Sequence, residues 1–343
     1  MSDHNAGSAA PDVLFRIDSL VKYFPVYGGA MQRKIGDVKA VDNVSFTINR
    51  GEIVGLVGES GSGKSTVGRM LTKLIQPTSG LIEFQGQDIG AFDARRVHEF
   101  RKHVQIVFQD PFSSLNPRMT VAQTISDPLK VNHICPKSEM TSRVHSLLEL
   151  VGLDTKLAGK YPHEFGGGDR QRVGIATALA VNPDFVFCDE PVSALDLSAQ
   201  AKILNLLRDI RTKLKLTILV VAHNLSVVEY VSDRVAVMYL GKIVEMAPTD
   251  KLYDTRLHPY TRALMSAIPV IDPELARKRD EIILKGEIPS PLNPPVGCNF
   301  NTRCQSLLGD VCYEKDPELV EYMPEHFVAC HRCPKKQAES IHS

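Results

Sequence analysis

The run Gly58-Glu59-Ser60-Gly61-Ser62-Gly63-Lys64-Ser65 has the spacing G-x-x-x-x-G-K-[ST], which suits the cradling of phosphates. Its glycines let backbone N–H groups turn inward on the β- and γ-phosphates of a nucleotide. Lys64 adds a point charge, and the hydroxyl of Ser65 can ligate Mg2+. The residues expected to contact the triphosphate are Ser60, Gly61, Ser62, Gly63, Lys64, Ser65 and Thr66. A second set has hydrolytic character. Asp189 and Glu190 close the apolar run Phe185-Val186-Phe187-Cys188. Asp189 can hold Mg2+, and Glu190 can orient and deprotonate an attacking water. Gln109 follows another apolar run and can reach both metal and water. His223 follows Ile218 to Ala222 and can donate to a γ-phosphate oxygen.

These groups need strands that end at one place. Ile53-Val54-Gly55-Leu56-Val57 leads into the glycine-rich loop, and Thr66 to Leu71 continues from it as a helix. Val104 to Phe108, Phe185 to Cys188 and Thr217 to Ala222 read as buried strands, with helices around 138–150 and 198–214. In a parallel sheet the C-terminal ends of such strands line a single crevice. Residues 13–50 read as antiparallel strands, and Arg234 to Met246 as a hairpin. The expected fold is an α/β core, doubly wound on a mainly parallel sheet, with an antiparallel β flank and an inserted helical block at about 111–181. The expected division is a disordered 1–12, an ATPase domain over 13–254, and an extension over 255–343 that stands as a separate small appendix.

The chain has 343 residues, and Lys+Arg and Asp+Glu each number 40. No basic field argues for nucleic acid as a partner. Hydrophobic residues make up 43% of the chain, enough for a sizeable core. No apolar run approaches the roughly 20 residues of a spanning helix, and the N-terminal residues do not read as an export signal. Any membrane role is expected to be exerted from outside the bilayer.

The glycine-rich loop, Gln109, Asp189-Glu190, Ser193-Ala194-Leu195-Asp196 and His223 occur in the order of the ATP-binding subunits of ABC transporters, and the chain resembles that family over nearly its whole length. The resemblance implies a head-to-tail dimer of ATPases, with Asp196 at the interface. It places an aromatic residue against adenine: Phe24 in Val21-Lys22-Tyr23-Phe24, with Tyr23 the less favoured choice. It also implies that the helical block receives a coupling helix from a membrane subunit. Phe108 to Arg118, His258-Pro259-Tyr260-Thr261 and Gly297 to Cys304 are similar to ATPases of dipeptide and oligopeptide importers. The implied partners are a second ATPase subunit, two integral-membrane permease subunits and, indirectly, an extracytoplasmic peptide-binding protein. The implied place is the cytoplasmic face of the bacterial inner membrane. Related importers carry nickel, opines or glutathione.

The chain departs from the family pattern at one point. Where the family has Leu-Ser-Gly-Gly-Gln, this sequence reads Phe165-Gly166-Gly167-Gly168-Asp169. The serine hydroxyl that donates to ATP on the opposite subunit is missing, and such a bond to a charged group is worth roughly 1.5–3 kcal/mol. Unequal composite sites are therefore expected. A mainly regulatory subunit with one degenerate site is the alternative.

Five of the seven cysteines (Cys298, Cys304, Cys312, Cys330 and Cys333) lie in the tail. Such a cluster reads as metal binding before disulfides. Four thiolates at irregular spacing suit a [4Fe–4S] cluster or zinc, and free thiols remain open. The resemblance implies the cluster, on Cys298, Cys304, Cys312 and Cys330. Cys188 reads as a small core residue.

Overall fold

The computed structural model describes residues 12–28, 32–110, 115–268 and 282–333. The expected disorder of residues 1–12 falls, except for Asp12, outside the described residues, as do Pro111, Phe112, Ser113 and Ser114.

Strands β3 (Ile53–Val57), β6 (Val104–Val107), β7 (Phe185–Asp189), β8 (Thr217–Ala222) and β9 (Arg234–Tyr239) pair in parallel in the order β9-β3-β8-β7-β6. A four-stranded antiparallel sheet of order β2-β1-β4-β5 forms the flank. It comprises β1 (Val13–Gly28), β2 (Arg33–Asn49), β4 (Ser79–Phe84) and β5 (Gln87–Asp88). The central strands are buried along their whole length, as strands covered on both faces must be.

The alternation of side chains divides the core in two. Ile53, Val57, Val186, Cys188, Ile218 and Val220 face one cluster, which they share with helices Val121–Val131, Met140–Leu150, Gly167–Leu179 and Leu197–Leu214. Val54, Leu56, Phe185, Phe187, Leu219 and Val221 face the other, together with the antiparallel sheet and helix Lys64–Leu71. A period of two on each strand therefore builds two hydrophobic layers from one sheet. Cys188 is wholly buried, and burial pushes its thiol up to about 12, as expected of a core residue.

The tail is not a body apart, as its few aliphatic residues had suggested. Strand β10 (Lys242–Pro248) pairs with β9, then with β12 (His326–Val328), and β11 (Val320–Met323) closes the edge. The tail thus extends the ATPase sheet to eight strands. A buried acid fastens this junction. Glu245, with no exposed surface, accepts from the N–H groups of Leu257 and His258 and pairs with His326 Nε2 at 2.7 Å. Phe300 packs edge-on against Tyr239 and beside Tyr260, inside the first core cluster. What the tail lacks in core of its own it takes from the ATPase.

Candidate nucleotide site

A single loop joins β3 to helix Lys64–Leu71, turning at three glycines of positive φ, Gly58, Gly61 and Gly63. Gly63 has φ 104°, and a Cβ there would lie 2.1 Å from the Ala40 carbonyl oxygen on β2. Only glycine fits that close, left-handed approach. Lys64 is buried, and its Nζ donates to the carbonyls of Gly58 (2.8 Å) and Glu59 (2.9 Å) and to Ser62 Oγ (3.2 Å). Burial lowers the ammonium to about 8, although Glu190, Asp189 and Glu59 all pull it upward. A phosphate is the partner such a desolvated cation lacks. Ser60 and Gly61 are exposed at the loop's rim, and Thr66 is half-buried behind it.

The hydrolytic residues converge at the C-terminal ends of β6, β7 and β8. Ser65 Oγ donates to Asp189 Oδ1 at 2.6 Å, and Arg69 Nη2 lies 3.5 Å from Asp189 Oδ2. Glu190 follows β7 with φ 50°, a left-handed backbone held by its N–H donating to the Val221 carbonyl. An acid in that sparsely populated region marks a position fixed for a purpose other than strand geometry. Both its oxygens are engaged: His223 Nε2 pairs with Oε1, and Gln109 Nε2 donates to Oε2 at 2.8 Å. Gln109 also reaches Ser193 Oγ at 3.4 Å. Lys64, Ser65, Asp189, Glu190, Gln109 and His223, scattered over 160 residues of sequence, thus form one constellation.

The hydroxyl and carboxylate oxygens of Ser65 and Asp189, with the Gln109 amide nearby, are hard donors of the kind Mg2+ prefers. They already share a proton-bridged contact, so the donor set fits the ion. Phe24 on β1 is 39% exposed and carries the Lys22 ammonium 4.9 Å from its ring. The neighbouring Tyr23 spends its hydroxyl on Asp42 at 2.6 Å, and burial, then Asp42, pushes it up to about 12. A lysine lies over each ring, Lys39 at 5.8 Å from that of Tyr23, and the two differ in that Phe24 is exposed where Tyr23 is half-buried.

A family model described as "ABC transporter" matches residues 41–193, and one described as "Oligopeptide/dipeptide transporter, C-terminal region" matches residues 244–312. The oligopeptide transport ATP-binding protein AppF of Bacillus subtilis (strain 168) is 50% identical over 325 residues, 94% of this chain and 98% of that protein. The chain belongs to the ABC transporter ATP-binding family. Solved cassettes agree with the fold. The dimeric ATP-binding cassette MJ0796, in a post-hydrolysis state bound to ADP and Pi, has a TM-score of 0.61 at 27% identity, covering 68% of this chain and 98% of that one. The cbiO1 protein of Clostridium perfringens, part of the ABC transporter complex cbiONQ, has a TM-score of 0.62 at 27% identity, covering 71% of this chain and 92% of that one. An ABC ATPase couples hydrolysis to transport. Among the described residues no helix is long and apolar enough to cross a membrane.

The segment expected to serve a partner's ATP is placed elsewhere. Gly166 caps helix Gly167–Leu179 with no side-chain bond, and a Cβ on Gly168 would lie 3.1 Å from Ala199 in helix Leu197–Leu214. Asp196 caps that second helix, accepting from Ala199 N at 2.9 Å, which with the Ser198 bonds holds its carboxyl below the usual range. Among the described residues no hydrogen bond or ion pair ties Gly166, Gly167, Gly168, Asp169 or Asp196 to the Lys64 constellation. Beside Asp196, Leu197 is 84% exposed.

Four residues were not assigned to the site from the sequence: Arg69, and Ser193, Tyr260 and Arg303, which were read only as parts of family motifs. Arg69 lies one helical turn beyond Ser65, so helical spacing could have found it. Tyr260 donates nothing to the site chemistry by type, yet its hydroxyl accepts from the Glu59 N–H at 2.9 Å. Arg303 pairs with the Glu59 carboxylate. No local pattern links those partners.

The tail cysteines are mixed in what they offer. None of them forms a disulfide. Burial pushes Cys298 up to about 12 and Cys330 to about 11, and it raises Cys304; neighbouring thiols add to each shift. Backbone N–H groups of Ser306 and Leu308 point at Cys304 Sγ (3.4 Å) and Cys312 Sγ (3.5 Å). That is the donor chemistry of thiolate ligands. Their placement does not complete it: among the described residues no group of three or more His, Cys, Asp or Glu is disposed to hold a metal ion.

Proposed function

We propose that the chain is one of a pair of ATPase subunits that power uptake of dipeptides and oligopeptides through an ABC importer. It would work head-to-tail with a second ATPase, beneath two permease subunits, on the cytoplasmic face of the bacterial inner membrane. The observation that carries the reading is the complete constellation of Lys64, Ser65, Asp189, Glu190, Gln109 and His223 in a chain whose tail matches the oligopeptide/dipeptide transporter region. Uptake of a radiolabelled dipeptide by cells whose only copy is Glu190→Gln should fall to background and return with the wild-type gene. Normal peptide uptake in that strain would exclude peptide cargo and leave nickel, opines or glutathione as the alternatives.

In this reading Lys64 and the loop N–H groups bind the β- and γ-phosphates, and Phe24 stacks on the adenine. Ser65, Asp189 and Gln109 would hold Mg2+, whose chemistry is to neutralise charge on the phosphate oxygens. Glu190 Oε2, released by Gln109, accepts the proton of the attacking water. His223, half-exposed, would pass from Glu190 to a γ-phosphate oxygen. Closure of the dimer would bring in the partner's signature segment.

The two composite sites are unequal in this proposal. The site built on Lys64 and Glu190 takes its signature from the partner and turns over; the site served by Gly166–Asp169 is slow, because a hydroxyl donor is missing and a carboxylate is present. Combining Gly166→Ser with Asp169→Gln in the assembled complex should raise turnover at the slow site roughly tenfold. Unchanged turnover there would show that the backbone N–H groups of Gly167 and Gly168 suffice.

For the tail, the proposal assigns Cys298, Cys304, Cys312 and Cys330 to a [4Fe–4S] cluster, with zinc as the alternative. N–H donors toward the sulfurs of Cys304 and Cys312 support it, and cluster assembly would have to draw the four thiolates together from the arrangement described above. Protein purified without oxygen should be brown, with absorbance near about 400 nm that Cys298→Ser removes. A colourless protein containing stoichiometric zinc would assign the alternative.

A further inference from the structure

Among the described residues, the tail and the loop's first turn meet in an ion pair at Glu59. Arg303, between Cys298 and Cys304, is 8% exposed. Its Nη1 donates to Glu59 Oε2 at 2.7 Å and its Nη2 to Oε1 at 3.1 Å, a two-pronged pairing that fixes the carboxylate in plane. The Glu59 N–H donates to the hydroxyl of Tyr260, itself fully buried, at 2.9 Å. The Glu59 carbonyl accepts from Lys64 Nζ. One loop residue is therefore held at its side chain, its N–H and its C=O, and two of the three holds come from beyond residue 255. The supports behind them are packed and buried. Tyr239, Tyr260 and Phe300 pack ring against ring, and the Arg303 guanidinium lies 6.0 Å over Tyr239. Asn299 Nδ2 donates to the Leu240 carbonyl, and the next residue, Gly241, donates its N–H to the Ser62 carbonyl.

Glu59 is an acid inside a loop whose task is to attract phosphate. Unpaired, it would repel the triphosphate and compete for the Lys64 ammonium. Paired in plane with a buried guanidinium, its charge is offset where it stands, leaving only the weaker pull on Lys64 described above. We propose that Arg303 and Tyr260 are positioning residues for ATP: they lock Glu59 away from the phosphates, so that the tail sets the affinity of the loop. The inference rests on the ATPase reading above and adds the means by which the tail regulates that site.

The test is equilibrium binding of radiolabelled ATP with Mg2+ to the purified full-length chain. Arg303→Gln should raise the Kd roughly tenfold or more, the loss of a charge-assisted pair. Adding Glu59→Gln to that variant should bring the Kd back to within roughly threefold of wild type, because no carboxylate remains to repel phosphate. A purely structural tie would not show this rescue. An unchanged Kd in Arg303→Gln, or a double variant as weak as the single one, would overturn the proposal. Thermal melting reports whether Arg303→Gln folds; if it does not, Tyr260→Phe, which removes one oxygen, carries the test. It should weaken ATP severalfold, and an unchanged Kd there would be equally decisive. Lys64→Ala separates the two levels. If wild type binds ATP and Lys64→Ala does not, while Arg303→Gln binds normally, only the lock fails; if wild type itself binds none, the ATPase reading fails.

Discussion

Glu190→Gln should leave ATP binding intact and reduce hydrolysis by roughly a hundredfold to ten-thousandfold, the range supplied by a positioned general base. The substitution is close to isosteric. The amide oxygen can still accept from Gln109 Nε2 or face His223, so the carboxylate's two contacts have a substitute. What disappears is basicity: an amide cannot take the proton of a water attacking phosphorus. Because Lys64, the loop and Ser65 are untouched, the triphosphate should still be gripped, and removal of a buried negative charge near it should tighten that grip. The check is a pair of measurements on one protein, Kd for ATP and single-turnover phosphate release. Loss of both would show Glu190 to be a structural acid. Retained turnover would move the base to another group, and His223 would then be the residue to substitute.

The sequence made the parts of this site legible because each part is a local pattern. A strand, a glycine-rich turn and a helix are contiguous at 53–71, and the acid pair directly follows the strand Phe185 to Cys188. Parallel-sheet geometry did the rest, since strand ends in such a sheet open on one crevice. Phe24 is preferred over Tyr23 on the resemblance alone, and the structure adds that the Tyr23 hydroxyl is tied to Asp42. The tail was misread for a physical reason. Counting its aliphatic residues measured the core it could build alone, whereas β12 borrows hydrogen bonds from β10 and Phe300 borrows the rings of Tyr239 and Tyr260. The Glu59–Arg303 pair spans 244 residues, and nothing in either neighbourhood announces the other. Long-range ion pairs leave no periodic trace. The cysteines show the opposite failure: their spacing announces a ligand set more loudly than their arrangement delivers one.

Replacing Lys64 should have the second large effect, and its pH dependence identifies the cause. Lys64→Met should weaken ATP roughly a hundredfold or more, as expected when one partner of a desolvated charge pair is removed. In the wild-type protein the ammonium, lowered by burial to about 8, is protonated at neutral pH and loses its proton above that value. Bound phosphate stabilises the charged form, so binding must take up a proton once the pH passes about 8. The Kd for ATP should accordingly be flat below about 8 and rise by up to about tenfold per pH unit above it. In Lys64→Met that rise should vanish, and its persistence would assign the titration to another group. The same burial has a thermodynamic counterpart in the nucleotide-free protein. The folded value lies below the ordinary lysine value of 10.5, so the fold gains stability as pH rises from about 8 to 10.5 and is least stable below about 8. Lys64→Met should therefore unfold at a higher temperature than wild type at neutral pH, by an amount corresponding to roughly 1–3 kcal/mol. A variant that is stabler and empty is what a site organised around a buried, desolvated cation demands; a variant that is less stable would mean that the bonds from Lys64 to Gly58, Glu59 and Ser62 outweigh the cost of burying its charge.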